Sequence, residues 1–542
     1  MESPRPSTPQ VCVVVIGYND ATHVAEAVRS ALGQGAAVGE VLAVDDCSTD
    51  GSREILGRLA AEEPRLRVLA RPTNSGGCGT PRNDGIDACA CPYVMFLDSD
   101  DVLPPGAVDA LLTAVGEHGA QVAAGLCVRR ELPSGREVPW QPALYGTPSV
   151  VGHPRRRPRL VHDTLCVNKL YRTGFLREHG IRFPDGRFVY EDFVFGARLL
   201  AAGPRIALVP DPVYVWQVRR SARKLSLSLD RADIANWQAR TAAHREAVRI
   251  LATAGEQELA RAARAKFAEH ELPMYVTELD RRTPEYRAEW WRLTREYLAT
   301  FDEADLGRAA APGRVTAQVI LASPPPVDLP RLKQLAARPA RLVPPYARSG
   351  DGGPVWSGEL PQVHLGQLLG HPVRLLPLTV DASLRTRPRV SVLGLRLYEL
   401  YGRVAEAGPS TVEVELRDRS GVARGVRRTA AWRAEAGSPA PDGSWTAEVL
   451  FDLGALDPRA GVWDVRLRVR FADGTSRRTT ARAVDGSGMR RTAVRDLRYG
   501  VRLVQPYATN RGDLAVRVAP GVRGVARVLR RRAHRALRVL QG

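Results

Sequence analysis

The stretch Tyr93–Asp101, YVMFLDSDD, places three carboxylates directly behind a hydrophobic run. The apolar residues predict a buried strand over Tyr93–Leu97, and Asp98, Asp100 and Asp101 follow its end. Carboxylates this close repel one another unless a cation or hydrogen bonds compensate, and hard oxygen ligands suit Mg²⁺ or Mn²⁺. An acidic turn that caps the next helix is the alternative, because aspartate is favoured at helix starts. This stretch alone leaves both interpretations open.

Three further hydrophobic runs, Val11–Ile16, Glu40–Val44 and Arg67–Ala70, precede this strand. The residues between them repeat apolar side chains at helical spacing. Alternating strands and helices predict an α/β fold around a Rossmann-like, mostly parallel sheet. In such sheets, ligands bind at the carboxyl ends of the strands, so we expect the site at that edge.

Two more polar segments follow predicted strands. Asp45–Ser52 is an acidic corner whose serine and threonine side chains could also cap a helix. Asn74–Asn83 is a glycine-rich loop that enters a helix, where backbone amides can approach phosphate and Arg82 adds a planar cation. No GxxxxGK[ST] phosphate loop occurs, and Gly33-Gln34-Gly35 has the wrong glycine spacing for a dinucleotide fingerprint.

The chain has 542 residues, of which 44% are hydrophobic and 25% charged, with a net charge of +19. This length predicts several structural units. The positive charge favours an anionic partner, but no nucleic-acid recognition motif accompanies it, so we expect no nucleic-acid binding. Seven cysteines without a CxxC pair, and no apolar segment long enough for a signal or membrane span, predict a cytoplasmic protein with free thiols.

The composition and the hydrophobic pattern of the sequence change along the chain. We predict an α/β domain over residues 1–230, a helical connector and proline-rich linker over 231–345, and a C-terminal β-sandwich over 346–518. The sequence of the sandwich contains no cluster of titratable residues that resembles a catalytic site. We therefore expect it to serve in oligomerisation or polymer binding. Residues 519–542 predict a basic amphipathic terminal helix, either on an anionic membrane surface or docked on the sandwich.

The order of four motifs in the chain resembles that of the family 2 glycosyltransferases with a GT-A fold. The motifs are Val13–Asn19, Asp45–Ser52, Asn74–Asn83 and Asp98–Asp100. The resemblance covers about residues 10–230. It implies a UDP-sugar donor, a Mn²⁺ or Mg²⁺ cofactor and inversion at the anomeric carbon. One departure is Ile16-Gly17, where the family usually has proline followed by threonine or serine.

The resemblance also implies roles for single residues. Asp46 would bind the base, Arg82 would face the diphosphate, and Asp100 would be the most direct metal ligand beside Asp98. The implied donor-binding residues are Gly17, Tyr18, Asn19, Asp46, Asn74, Arg82, Asp98 and Ser99. Near Gln217–Ser228, relatives often place a histidine or arginine; this chain offers Arg219, Arg220 and Lys224 there, and no histidine.

Transfer needs a base that takes the proton of the acceptor hydroxyl. Glu191-Asp192 resembles the family's Glu-Asp motif, which makes Asp192 the implied base with Glu191 beside it. Charge that complements a helix dipole is the alternative, and a helix start would lower a carboxylate pKa. The implied role therefore depends on the resemblance more than on local physics.

The architecture also resembles teichoic-acid-modifying glycosyltransferases, whose C-terminal modules form oligomers. It implies transfer of a hexose or N-acetylhexosamine to a hydroxyl of an anionic, cell-surface or lipid-linked glycopolymer. The basic segment 519–542 would place the enzyme near the inner face of the membrane. Arg155, Arg156, Arg157 and Arg159 would suit phosphate on such a polymer, or form a solvated loop. A nucleotidyltransferase and an inactive polyanion-binding scaffold are the alternative functions.

Overall fold

In a computed structural model, residues 10–219, 231–387, 390–421, 423–435, 443–457, 461–484, 491–496 and 500–520 are described. The chain divides into two compact units, Met1–Phe267 with Thr300–Arg308, and Ala268–Ala299 with Ala309–Gly542. The predicted terminal helix lies outside the described residues from position 521 onward, as do Arg220 and Lys224. The bounds of the four predicted segments stay predictions.

The first unit is built on one sheet. Within its described residues the strands are β1 Val11–Gly17, β2 Val38–Asp45, β3 Leu66–Ala70, β4 Tyr93–Asp98, β5 Val122–Glu131, β6 Arg136–Pro139, β7 Ser149–Val151, β8 Lys169–Arg172 and β9 Ile206–Val218. Their order is β3-β2-β1-β4-β8-β5-β9-β7, with β6 on β5. Strands β1 to β4 pair in parallel, and β8 lies antiparallel between β4 and β5.

Helices pack on this sheet through apolar faces. They are α1 Val24–Leu32, α2 Ser52–Glu62, α3 Gly79–Ala88, α4 Ala107–His118, α5 Thr173–Glu178, α6 Glu191–Ala201, α7 Ile234–Thr253 and α8 Gln257–Lys266, with a short helix at Glu303–Gly307. In α1 the buried residues are Val24, Ala27, Val28 and Ala31, which recur at the helical spacing expected from the sequence. The predicted α/β fold is confirmed.

The parallel register brings three strand ends to one edge. Gly17 pairs with Asp45 across β1 and β2, and Ile16 pairs with Asp98 across β1 and β4. The residues that follow these strands therefore project from the same edge of the sheet. The sequence predicts this arrangement, and the register confirms it.

The second unit combines helices and antiparallel sheets. Its longer helices are Leu272–Leu279, Pro284–Leu298, Ala311–Ala322 and Leu329–Leu335, with short ones at Gly366–Leu369 and Arg403–Ala407. A three-stranded sheet is formed by Ala347–Arg348, Pro354–Ser357 and Leu360–His364. None of the described helices combines the length and the apolar character that crossing a bilayer requires.

Two larger sheets follow, of five and seven strands within the described residues. The five strands are Val380–Arg385, Ser391–Tyr398, Arg433–Ala434, Ser444–Phe451 and Arg482–Ala483. The seven are Pro409–Asp418, Val426–Ala431, Val462–Phe471, Ser476–Thr480, Thr492–Asp496, Gly500–Ala508 and Leu514–Pro520. Alternate residues of Val462–Phe471 are buried, as expected for strands with one face on a core. The predicted C-terminal sheets are confirmed.

Candidate active site

The loop after β1 is tied to the loop after β2. Asn19 adopts a left-handed conformation with φ 52°, and its backbone N–H donates to Ser48 Oγ at 2.9 Å. The side-chain oxygen of Asn19 accepts from Thr49 N–H at 2.7 Å. Tyr18, between them and the strand, is 48% exposed. Tyr18 is therefore free to meet a ligand, while Asn19 shapes the loop.

Gly17 and Ser99 lie against each other where β1 and β4 end. A Cβ on Gly17 would stand 3.0 Å from Ser99 Cβ, so only glycine fits without displacement. Ser99 Oγ donates to Asp20 Oδ2 at 2.8 Å. The sequence prediction missed Asp20, which joins the first and fourth strand ends; its place one residue after Asn19 is the signal that could have identified it.

Asp46 is buried and holds the glycine-rich loop. Its carboxylate accepts from Ser75 N–H at 3.0 Å, Ser75 Oγ at 2.8 Å and Asn74 Nδ2 at 3.0 Å, and it pairs with Arg71 Nε at 2.9 Å. The second predicted loop and the third therefore meet. The observed partners of Asp46 are protein groups, and its contact with a base stays a prediction.

The glycines of this loop allow close backbone packing. A Cβ on Gly77 would stand 2.6 Å from the carbonyl oxygen of Gly186, and one on Gly79 would collide with the carbonyl of Pro184. The loop thus lies directly against residues 184–188, which precede the Glu-Asp motif. Its glycines serve packing here, besides any approach to phosphate that the sequence predicts.

Arg82 joins the glycine-rich helix to both acidic motifs. Its side chain is 3% exposed, and Nη2 donates to Asp98 Oδ1 at 2.7 Å. Nη1 donates to Glu191 Oε1 at 2.6 Å and to Asp192 Oδ1 at 3.4 Å. The guanidinium also lies 5.3 Å from the centre of the Phe183 ring. Three carboxylates from two distant parts of the sequence therefore meet on one cation.

Glu191 and Asp192 begin α6, after Tyr190 in a left-handed conformation with φ 68°. Burial, then repulsion from Asp192, raises the pKa of Glu191 to about 7. Burial also raises the pKa of Asp192, against the lowering by Arg82. Local physics at a helix start predicts a lowered pKa, but desolvation is the larger effect at this site. A raised pKa suits a carboxylate that must accept a proton.

Asp192 also borders a small cavity. The cavity has a volume of about 30 Å³, and Cys166 and Lys169 lie in its wall with mostly apolar neighbours. The backbone N–H of Cys166 donates to Asp192 Oδ2 at 3.4 Å. This volume is enough for a water molecule but not for a sugar.

Asp100 is the exposed carboxylate of the first motif. Desolvation by neighbouring groups, then repulsion from Asp98 and Asp20, raises the pKa of Asp100 to about 6. This excess of negative charge and the all-oxygen donor set fit a hard divalent cation, with Asp98 and Asp100 as its ligands. Within the described residues, no group of three or more histidine, cysteine, aspartate or glutamate side chains forms a ready metal site. Further ligands would therefore come from phosphate oxygens and water.

Asp101, the third aspartate of the motif, is buried, and the family resemblance implies no role for it. Tyr214 OH donates to Asp101 Oδ2 at 2.7 Å, and the backbone N–H of Gln217 donates to Asp101 Oδ1 at 2.7 Å. Arg219 Nη1 donates to the carbonyl of Asp100 at 3.0 Å. The end of β9 thus holds the acidic loop, and no local sequence pattern around Tyr214 indicates it.

The basic residues predicted near an acceptor divide into two kinds. Arg155 pairs with Glu256 at 2.7 Å, and Arg157 Nη1 donates to Ser149 Oγ at 2.7 Å. Arg156 and Arg159 are exposed. Arg155 is exposed as well, but it and Arg157 are engaged in protein contacts.

Comparisons with known proteins fit this geometry. Residues 12–180 match the family model "Glycosyl transferase family 2". Over 234 residues, 42% of this chain and 65% of the relative, the sequence is 30% identical to the succinoglycan biosynthesis protein ExoO of Rhizobium meliloti (strain 1021). Over 216 residues, 40% of this chain and 36% of the relative, it is 30% identical to poly(ribitol-phosphate) beta-N-acetylglucosaminyltransferase TarS of Staphylococcus aureus (strain Mu50 / ATCC 700699).

The chain thus spans less than two thirds of either curated relative. The crystal structure of S. aureus TarS is similar in fold, with a TM-score of 0.52 and 19% identity over 94% of this chain and 85% of TarS. The residues matched by the family model include strands β1 to β4, from Cys12 onward, and the acidic residues that follow them. Residues 12–180 of the chain therefore resemble a family 2 glycosyltransferase domain.

Proposed function

We propose that this protein is an inverting glycosyltransferase. It transfers a hexose or N-acetylhexosamine from a UDP-sugar to a hydroxyl of a cell-surface glycopolymer. The convergence of Asp98, Glu191 and Asp192 on Arg82 carries the proposal, because it brings the implied donor and base motifs into one site. The activity for which TarS is named, transfer of N-acetylglucosamine to poly(ribitol-phosphate), supports the choice of sugar and acceptor class.

Asp192 acts as the general base. It takes the proton of the acceptor hydroxyl while that oxygen attacks the anomeric carbon from the face opposite the leaving nucleotide, which inverts this carbon. The raised pKa of Asp192 supports this role, because a carboxylate of higher pKa binds a proton more strongly. Arg82 holds Asp192 and Glu191 in place and offsets part of their charge.

On the donor side, Asp98 and Asp100 would hold Mn²⁺ or Mg²⁺. When bound, such an ion stabilises the negative charge of the departing diphosphate. Tyr18 and Asn74 lie on the loops at the same strand-end edge, where we propose that they contact the nucleotide. Asp46 and Arg82 would act chiefly by fixing the loops that bind it.

The acceptor is proposed to be an anionic or lipid-linked polymer, approached through the exposed Arg156 and Arg159. We further propose that the enzyme works on the cytoplasmic side, near the inner face of the membrane. The basic segment 519–542 would contact anionic lipid there, and the sheets of the second unit would assemble copies of the chain. These proposals rest on the charge of the chain and on its likeness to polymer-modifying relatives.

Release of UDP from a panel of UDP-sugars, with Mn²⁺ or Mg²⁺ and a phosphate-containing polymer acceptor, tests the proposal. We expect Asp100→Ala to lose donor turnover, since a metal ligand is missing. Asp192→Ala should keep UDP binding and lose transfer by at least about 100-fold, the usual scale for a general base.

Asp109→Ala, at an exposed position on α4, is the matched control and should behave as the wild type. Product analysis by NMR should find the anomeric configuration inverted. Wild-type rates in both Asp100→Ala and Asp192→Ala would contradict the residue assignments.

A further inference from the structure

The end of β9 holds the Asp98–Asp101 loop at several successive residues. Val102 and Val215 exchange backbone hydrogen bonds of 3.3 and 3.0 Å. Arg219 binds the carbonyl of Asp100, and Gln217 N–H binds the carboxylate of Asp101. A loop that carries three neighbouring carboxylates is thus anchored from one side by a strand more than a hundred residues away.

Tyr214 is central to this anchoring. Its hydroxyl donates to Asp101 Oδ2 at 2.7 Å and accepts from the backbone N–H of Asp98 at 3.3 Å. Strand β8 pairs with β4 only at Tyr93–Met95, so no strand neighbour on that side reaches the amide of Asp98. The Tyr214 hydroxyl fills that place. It fixes the peptide group from which the Asp98 side chain projects.

The arrangement also keeps Asp101 away from the other two carboxylates. Asp101 is 3% exposed and accepts two short hydrogen bonds, whereas Asp98 and Asp100 lie towards solvent. Without its two donors, Asp101 would compete for the same solvent and cation as its neighbours. The buried residue therefore determines the direction in which the loop presents its two accessible carboxylates.

We infer that Tyr214 and Asp101 are positioning residues for donor binding, which hold Asp98 and Asp100 in the orientation that receives the nucleotide diphosphate. The inference rests on the proposed function. Neither residue touches the donor; both act through the backbone and side chains of the Asp98–Asp101 loop. Their effect should therefore appear in donor affinity more than in the chemical step.

Calorimetric titration of the full chain with UDP in the presence of Mn²⁺ tests this inference. Groups that orient metal or substrate ligands typically change affinity by about 10- to 100-fold, so we expect Tyr214→Phe to weaken UDP binding at least about tenfold. Donor KM should rise by a similar factor, while kcat changes less. Asp101→Asn keeps the size of the side chain, and we expect it to weaken UDP binding as well.

Tyr145→Phe is the matched control. Tyr145 is also buried in the first unit and also donates from its hydroxyl to an aspartate, but its hydrogen-bond partners, Asp163 and Asn168, lie outside the Asp98–Asp101 loop. We expect Tyr145→Phe to lower the melting temperature about as much as Tyr214→Phe and to leave UDP affinity unchanged. This contrast separates loop positioning from a general loss of stability.

Wild-type UDP affinity in folded Tyr214→Phe would overturn the inference and leave the proposed function intact. Equal loss of affinity in Tyr214→Phe and Tyr145→Phe would also overturn it, because the effect would then follow stability alone. Absence of UDP binding by the wild type would instead refute the proposed function, and this inference with it.

Discussion

Arg82 is almost completely buried among three carboxylates. An arginine that faces a diphosphate needs free N–H groups on the ligand side, yet both terminal nitrogens of Arg82 bind protein carboxylates. The position of Arg82 therefore indicates that its main role is to hold these three carboxylates together. Within the described residues these bonds use three of the five N–H groups, which leaves one on Nη2 and the one on Nε.

The burial of Glu191 beside Arg82 and Asp192 should make the stability of the protein depend on pH. The pKa of Glu191 rises from the ordinary 4.5 to about 7 in the folded protein, because burial and Asp192 disfavour the ionised form. The folded state thus binds the proton more tightly than the unfolded state. This contribution to stability is fully present below about pH 4.5 and is lost as the pH rises through about 7.

Urea unfolding of the wild type and Glu191→Gln at pH 5 and pH 8 measures this effect. Glutamine is neutral at both values, so we expect the wild type to lose more unfolding free energy than Glu191→Gln between pH 5 and pH 8. Glu137→Gln, at a half-exposed surface pair with Arg130, is the control and should follow the wild type. An equal loss in all three proteins would show that Glu191 titrates normally.

At the scale of elements, the glycine-rich loop is held by its packing on residues 184–188. A Cβ on Gly77 would stand 2.6 Å from the carbonyl of Gly186, which is closer than such atoms approach. We expect Gly77→Ala to destabilise the protein by about 1–3 kcal/mol, the usual cost of overpacking. Thermal or urea unfolding measures the change.

Gly152→Ala is the loop control. Nothing lies within 4 Å of a Cβ at Gly152, so stability should stay the same or rise by up to about 1 kcal/mol. If Gly77→Ala were as stable as Gly152→Ala, the close approach of the loop to residues 184–188 would be wrong.

Elements with a local hydrophobic signal were predictable from the sequence. The predicted strand Val11–Ile16 ends one residue before the observed one, and Tyr93–Leu97 likewise. Strand β8 was not predicted, because it has only four residues and its pairing with β4 and β5 depends on distant chain segments. Hydrophobic periodicity carries no information about such partners.

The parts of the candidate site that follow local sequence patterns were predictable, and the parts that depend on distant residues were not. Strand-end carboxylates follow from the alternation of strands and helices, since parallel strand ends share an edge. The partners of Arg82 did not follow, because Glu191 lies 109 residues away in sequence and only the fold brings it near. Tyr214 was missed for the same reason, being 116 residues from Asp98.

At the scale of the whole molecule, the chain divides into two units, and Arg341 belongs to the second. Its side chain is fully buried and donates to Asp513 Oδ1 at 2.6 Å, Thr480 Oγ1 at 3.0 Å and the carbonyl of Arg511 at 2.9 Å. Removal of one partner of a buried ion pair typically costs about 3–5 kcal/mol. We expect Arg341→Met to destabilise the second unit by an amount of that order.

Calorimetric unfolding should therefore show a lower transition in Arg341→Met, while UDP binding, which we assign to the first unit, keeps its affinity. Arg385→Met removes an exposed pair with Glu448 in the same unit and should change little. Loss of UDP binding in Arg341→Met at a temperature where the first unit stays folded would contradict the assignment of binding to the first unit.

The shared guanidinium has a consequence for protein engineering. Chimeras between related transferases usually exchange one half of a site for another in the hope of changing the sugar or the polymer. Here both halves form ion pairs with the same residue, Arg82. Asp98 pairs with it from one half, and Glu191 and Asp192 pair with it from the other. A functional graft must therefore transplant the helix carrying this arginine together with both acidic segments.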